Sequence, residues 1–259
     1  MIDTAFDTTK ILLIICPFTF IAGFIDSIAG GGGLISLPAY LAAGLPPHFA
    51  AATNKCSSVF GTLVASIKYM RSSKIDYKAA FSAAAAALLG SSIGAYLNML
   101  INEKALNFIM VVSVPIIAVF LVLKKDFGNE DTTYRHSSLK IIILSVIIGF
   151  VIGMYDGFFG PGTGTFLALA FTGIAGFDLI TASGNTKIVN LASNIAAFIT
   201  FALGGKILWQ IGLPGAVFGI AGNFIGSSFA LKKGVKFIRP MFFVVLSILI
   251  VKLIWDMAV

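Results

Sequence analysis

The sequence predicts an all-α polytopic membrane protein built from two inverted-topology repeats of about five hydrophobic segments each, eight long helices and two half-length ones. Three observations lead there: an apolar composition that one soluble globule could not bury, an internal duplication, and a basic loop that shifts by one connection between the copies. Of 259 residues, 58% are hydrophobic and 11% charged, against about 25% charged in soluble domains. A net charge of +7 would point to nucleic acid in a soluble protein. Here Lys and Arg lie between apolar runs, where they set membrane orientation, so the expected partner is the lipid bilayer and no nucleic acid.

The duplication carries most of the organisation. "GFIDSIAGGGG" at 23–33 matches "GMYDGFFGPGTG" at 153–164, which lays Asp26 on Asp156. "TNK" at 53–55 matches "NTK" at 185–187, laying Lys55 on Lys187. "KIDYKA" with "KILWQI", then "GSSIGA" with "GNFIGS", hold the register after a short insertion in the second copy. Such duplication is the plan of many secondary transporters.

The first segment, 11–29, is long enough to span and ends at the glycine run. The second, 34–43, has ten residues, which at about 1.5 Å each reach roughly half the hydrocarbon thickness. Segment 48–70 follows a Pro-Pro pair and ends in a basic loop with Lys68, Arg71, Lys74 and Lys78; 77–100 and 105–123 complete the first copy. The second copy repeats the scheme at 139–159, 166–175, 179–203, 209–231 and 237–255, again with a half-length second member. Its basic loop comes one connection later, at Lys232, Lys233, Lys236 and Arg239. Basic loops face the cytoplasm, so the copies must be inverted, as an odd number of segments per copy produces. The central linker, with Lys124, Lys125, Arg135 and Lys140, then falls inside and both termini outside. The first repeat is expected over 1–125, the cytoplasmic linker over 126–137 and the second repeat over 138–259. Tyr77, Trp209 and Trp255 stand at segment ends, where aromatic belts belong. The opening residues, MIDTAFDTTK, lack a signal peptide's basic region, so the first segment is expected to stay in the membrane.

Bare backbone at membrane depth survives only inside protein or beside a wet cavity. "GGGG" before Leu34 and "GPGTG" before Thr165 each separate a long segment from a half-length one. The expected geometry is a hairpin or broken helix, with glycines at the turn and a short helix starting after it. That helix offers unpaired N–H groups and the positive end of its dipole, an anion site. The plainer alternative is small-residue helix packing. Candidate contacts are Gly31, Gly32 and Gly33 in one tip, and Gly162, Thr163 and Gly164 in the other.

Asp26, Lys55, Asp156 and Lys187 all stand inside apolar segments, where a charge costs a few kcal/mol and faces protein or water. Two readings stay open together: the lysines attract an anion, or an Asp–Lys ion pair fixes the hairpin against the third helix. Asn54 and Thr186 precede the lysines and add hydrogen-bonding capacity; Asn190 and Asn194 read better as an interhelical network. The aspartates are candidates for proton coupling. His48 and His136 read as solvated residues with no partner for nucleophilic or metal chemistry, and Cys16 and Cys56 as small core residues. No Walker lysine follows the glycines, and "YDGFFG" stands without the rest of a kinase set. No metal, cofactor or enzymatic activity is expected.

"GFIDSIAGGGGLISLPAYLAAGLPPHFAAATNK" and "YDGFFGPGTGTFLALAFTGIAGF" resemble the paired signatures of the sulfite exporter TauE/SafE (TSUP) family of membrane transporters, closest to its YfcA-like branch. The resemblance covers essentially the whole chain. It implies a bacterial inner-membrane permease for small sulfur-containing oxyanions such as sulfite, sulfoacetate or other organosulfonates, with alternating access at a central site. It also assigns Asp26 and glycines 30–33 to the first signature, and Asp156, Gly160, Pro161, Gly162 and Gly164 to the second. An anion channel and a non-transporting assembly subunit are the alternatives, with a homodimer left open.

Overall fold

A computed structural model describes residues 8–72, 74–102, 104–106, 133 and 137–233. The expected segments 105–123 and 237–255 fall largely or wholly outside the described residues, as do most of the linker, His136 and Trp255. Eight α-helices lie wholly among the described residues: α1 Thr8–Ala29, α2 Gly33–Ala42, α3 Pro47–Ser72, α4 Tyr77–Leu100, α5 Ser138–Phe158, α6 Thr163–Gly173, α7 Leu179–Leu203 and α8 Trp209–Lys233. No strand occurs among them. α1, α4, α5, α7 and α8 are long and apolar enough to cross a membrane, and α2 and α6 are the short apolar pair. The chain is a multi-pass membrane protein.

Local chemistry sets the helix boundaries. α1 stops where Gly30 turns to φ +74° and its N–H closes on Asp26 O at 2.7 Å, the left-handed stop that glycine alone adopts cheaply. Pro47 opens α3, a position where its missing N–H costs nothing. Asp76 caps α4 through Ala79 N at 2.9 Å, and Asp178 caps α7 through Ile180 N and Thr181 N.

Helix pairing follows small residues. Gly90 and Gly94 of α4 press on the backbone of α5 at Phe150 and Met154, while Gly149, Gly153 and Gly157 press back on Ala83, Ala87 and Ser91. Gly222 and Gly226 of α8 meet Phe20 and Phe24 of α1 in the same manner. Lipid gives helices no hydrophobic reason to associate, so close backbone approach takes that role. These two pairs, α4 with α5 and α1 with α8, are the most extensive among the described helices. α3 packs on α8 as α7 packs on α4, and α3 meets α7 at the centre. Exchanging the four helices of one half for those of the other leaves these pairings unchanged.

α3 and α7 run antiparallel. Lys55 reaches Asn194, whereas Ser66, farther along α3, donates to Lys187 O at 2.8 Å. The described parts of the two halves therefore share one core, and the most extensive interfaces among the described helices lie between them.

A polar cavity where two glycine turns meet

The two glycine turns touch backbone to backbone. Gly164 N donates to Gly30 O at 3.1 Å, and neither residue has room for a Cβ against the other. Thr165 Oγ1 donates to Ala29 O at 2.8 Å across the same junction. Gly162, at φ +80°, is the N-cap of α6. The α2 tip spends several donors on itself: Leu34 N bonds Gly31 O, and Ile35 N and Ser36 N bond Gly32 O. Thr163 does likewise, its N and Oγ1 both on Gly160 O. The anion-ready backbone expected at both tips is thus partly consumed by the turns themselves.

Beside this junction lies a cavity offering ≈ 40 Å³ to the centres of water molecules, enough for a few waters. Among the sequence-predicted residues, Asp26, Gly32, Gly33, Asn54, Lys55, Asp156, Thr163 and Gly164 line it. Gly31, Gly162, Thr186 and Lys187 stay outside the lining and are buried in the structure. The lining gathers the first half's lysine and leaves the second half's behind.

The ion pairing crosses the repeat. Lys55 Nζ lies 2.7 Å from Asp156 Oδ1, with both side chains almost fully buried, and donates to Asn194 Oδ1 at 2.9 Å. Ser193 Oγ donates to the second oxygen, Asp156 Oδ2, at 2.5 Å. Asn194 Nδ2 reaches Thr62 Oγ1 and Asn190 Oδ1 at 3.4 Å each. Asn194 is therefore both network and lysine ligand.

Asp26 sits differently. It is half-buried, and among the described residues its carboxylate accepts one hydrogen bond, from Gly32 N at 3.3 Å. Lys187 Nζ bonds its backbone oxygen rather than its carboxylate and stands 5.8 Å from the Tyr69 ring. Tyr69 Oη in turn donates to Ser27 O. Thr186 Oγ1 and Asn54 Oδ1, at matching repeat positions, are both buried without a hydrogen-bond partner.

Two residues depart from the sequence reading. His48 is half-buried and sits 3.2 Å from Asn98 Oδ1 through Nδ1, with Asn98 Nδ2 donating to Phe158 O, so it anchors a helix end instead of standing in solvent. Asn223, missed as a site residue, lines the cavity and donates from Nδ2 to Gly219 O at 3.0 Å. Gly23 and Gly61 leave it space: a Cβ on either would collide with Asn223 Nδ2. The signal was its place in "GNFIGS", a lone amide inside an apolar segment. Among the described residues no cluster of three or more His, Cys, Asp or Glu could hold a metal.

The profile of the sulfite exporter TauE/SafE family matches residues 15–253. A probable membrane transporter protein, ORF9, from Sinorhizobium is 37% identical over 256 residues, covering 99% of this chain and 96% of that protein. The probable membrane transporter protein YfcA of Escherichia coli K12 is 38% identical over 255 residues, covering 98% and 94%. A probable membrane transporter protein of Haemophilus influenzae is 35% identical over 250 residues, covering 95% of each. No solved structure matches the chain.

Proposed function

The chain belongs to the sulfite exporter TauE/SafE family, and from that premise we propose that it carries small sulfur-containing oxyanions, sulfite or organosulfonates such as sulfoacetate, across the bacterial inner membrane by alternating access. The observation that carries this reading is the placement of Lys55 in a polar cavity beside the junction of the two glycine turns. Lys55 uses two protons on Asp156 and Asn194, and an ammonium has three. The third is the anion's anchor. A buried lysine already neutralised by an acid lets an anion arrive without first creating an isolated charge.

The inverted arrangement belongs to the same proposal. An exchange of halves that preserves the helix pairings, with equivalent helices α3 and α7 antiparallel, is what two oppositely oriented repeats produce. Both termini then lie in the periplasm and the basic ends of α3 and α8 in the cytoplasm. The cavity engages Lys55 while Lys187 and Thr186 are sealed, a one-sidedness suited to a carrier caught facing one way. Asp26, half-buried in the cavity with a single hydrogen bond, is the group placed to exchange a proton.

The test is uptake of labelled sulfite into proteoliposomes. Wild-type protein should exchange internal for external sulfite, and the charge-balanced double variant Lys55→Met with Asp156→Asn should not. Equal exchange by both would sink the assignment of the site, and conductive flux without exchange would make the protein a channel.

A further inference from the structure

The residues that line the cavity carry more hydrogen-bond acceptors than an anion site needs. Asn223 is 3% exposed and its amide cannot turn freely, because Nδ2 is committed to Gly219 O at 3.0 Å. That leaves Oδ1 buried with no hydrogen-bond partner. Asn54 is 6% exposed and its Oδ1 is likewise unpartnered. Asp26 adds a carboxylate holding one hydrogen bond. All three residues line the space that Lys55 also lines.

An anion whose atoms are all acceptors would satisfy Lys55 and leave these oxygens bare, or press its own lone pairs against them. Buried acceptors left unpaired are costly. A ligand with an O–H or N–H beside its charged group would satisfy both sides at once. We infer that the site selects small monoanions that carry their own hydrogen-bond donor, with Asn223 Oδ1 reading that donor and Lys55 holding the charge. This rests on the anion-site reading above and narrows it. The two glycines facing Asn223 fit the assignment: Gly23 and Gly61 let α1 and α3 close on the amide.

Sulfamate and methanesulfonate separate the two ideas, since they share charge and shape and differ by an amino group in place of a methyl. Thermal stabilisation and calorimetric titration of the full-length protein in detergent would be read for each. Wild type should bind sulfamate at least about tenfold more tightly than methanesulfonate, the penalty for one buried acceptor left unpaired. Asn223→Leu should remove the preference, bringing the ratio of the two affinities close to one. If that variant does not fold, Asn54→Leu takes its place, with a smaller loss of discrimination expected. The Lys55→Met, Asp156→Asn double variant should lose both anions. Equal wild-type affinity for the two anions, both lost in the double variant, would overturn donor selection and leave the anion site standing. Binding of both that survives in the double variant, or no binding of either, would overturn the site and the selection together.

Discussion

Lys55 Nζ sits 2.7 Å from Asp156 Oδ1, so the lysine of the first half is neutralised by the acid of the second. The reciprocal pair is not equivalent, since Lys187 holds only the backbone oxygen of Asp26. A difference at one repeat position accounts for part of this. Ser193 Oγ braces Asp156, while the matching residue in the first half is Gly61, whose side-chain space is filled by the Asn223 amide. Both acids line the cavity, but one is clamped and the other is half-buried with a single hydrogen bond to its carboxylate among the described residues.

Removing one member of the clamped pair strands a buried charge. Lys55→Met and Asp156→Asn should each lower the unfolding free energy by about 3–5 kcal/mol, measured by denaturation in mixed micelles. The double variant should recover most of the loss, because no net charge is then left buried. Simple additivity of the two losses would mean that the residues do not act as a pair.

Neighbouring glycines in the second turn should fail for different reasons. Gly164→Ala drives a methyl into Gly30 and should separate the turns, so that little folded protein survives extraction. Gly162→Ala has room, with the nearest atom at 3.4 Å, but keeps φ at +80°. Its cost should be only about 1–2 kcal/mol. Equal melting losses for the two would remove the turn contact as a determinant of the fold.

Proton coupling should divide unequally between the acids. In proteoliposomes with an imposed pH gradient, Asp26→Asn should still exchange sulfite but lose the component driven by the gradient. Asp156→Asn should lose exchange itself in proportion to its instability. A gradient response retained in Asp26→Asn would make that acid a scaffold.

Orientation can be read from two equivalent lysines. In a background without Cys16 and Cys56, Lys74→Cys should react with an impermeant maleimide from the cytoplasm and Lys206→Cys from the periplasm. Labelling of both from one side would rule out inversion of the repeats.

Much of this architecture was legible in the chain. The repeat located both glycine turns and both short helices, because a turn inside a membrane requires glycines and a half-length apolar run is visible by counting. The same repeat concealed the pairing. With Asp26 and Lys55 mirrored by Asp156 and Lys187, pairing within a copy and pairing between copies fit the pattern equally well, and only packing chose the second. Asn223 was hidden for another reason. Its partner is a backbone oxygen one turn away, and the space it occupies comes from glycines on two other helices, which no local pattern connects. His48 looked like a boundary residue because Asn98, its partner, lies at the far end of another helix.

The cross-half clamp also bears on how the protein is made. Lys55 leaves the ribosome roughly a hundred residues ahead of Asp156, which at about 5–20 residues per second is a delay of roughly 5–20 s. Throughout that interval α3 is in the insertion machinery or the bilayer with its lysine lacking the carboxylate that later neutralises it. The first half is therefore an unfinished client, held by water, lipid headgroups or a chaperone until the second half arrives. A chain truncated between the halves should be recognised and degraded by membrane quality control, and supplying the second half as a separate polypeptide should rescue it.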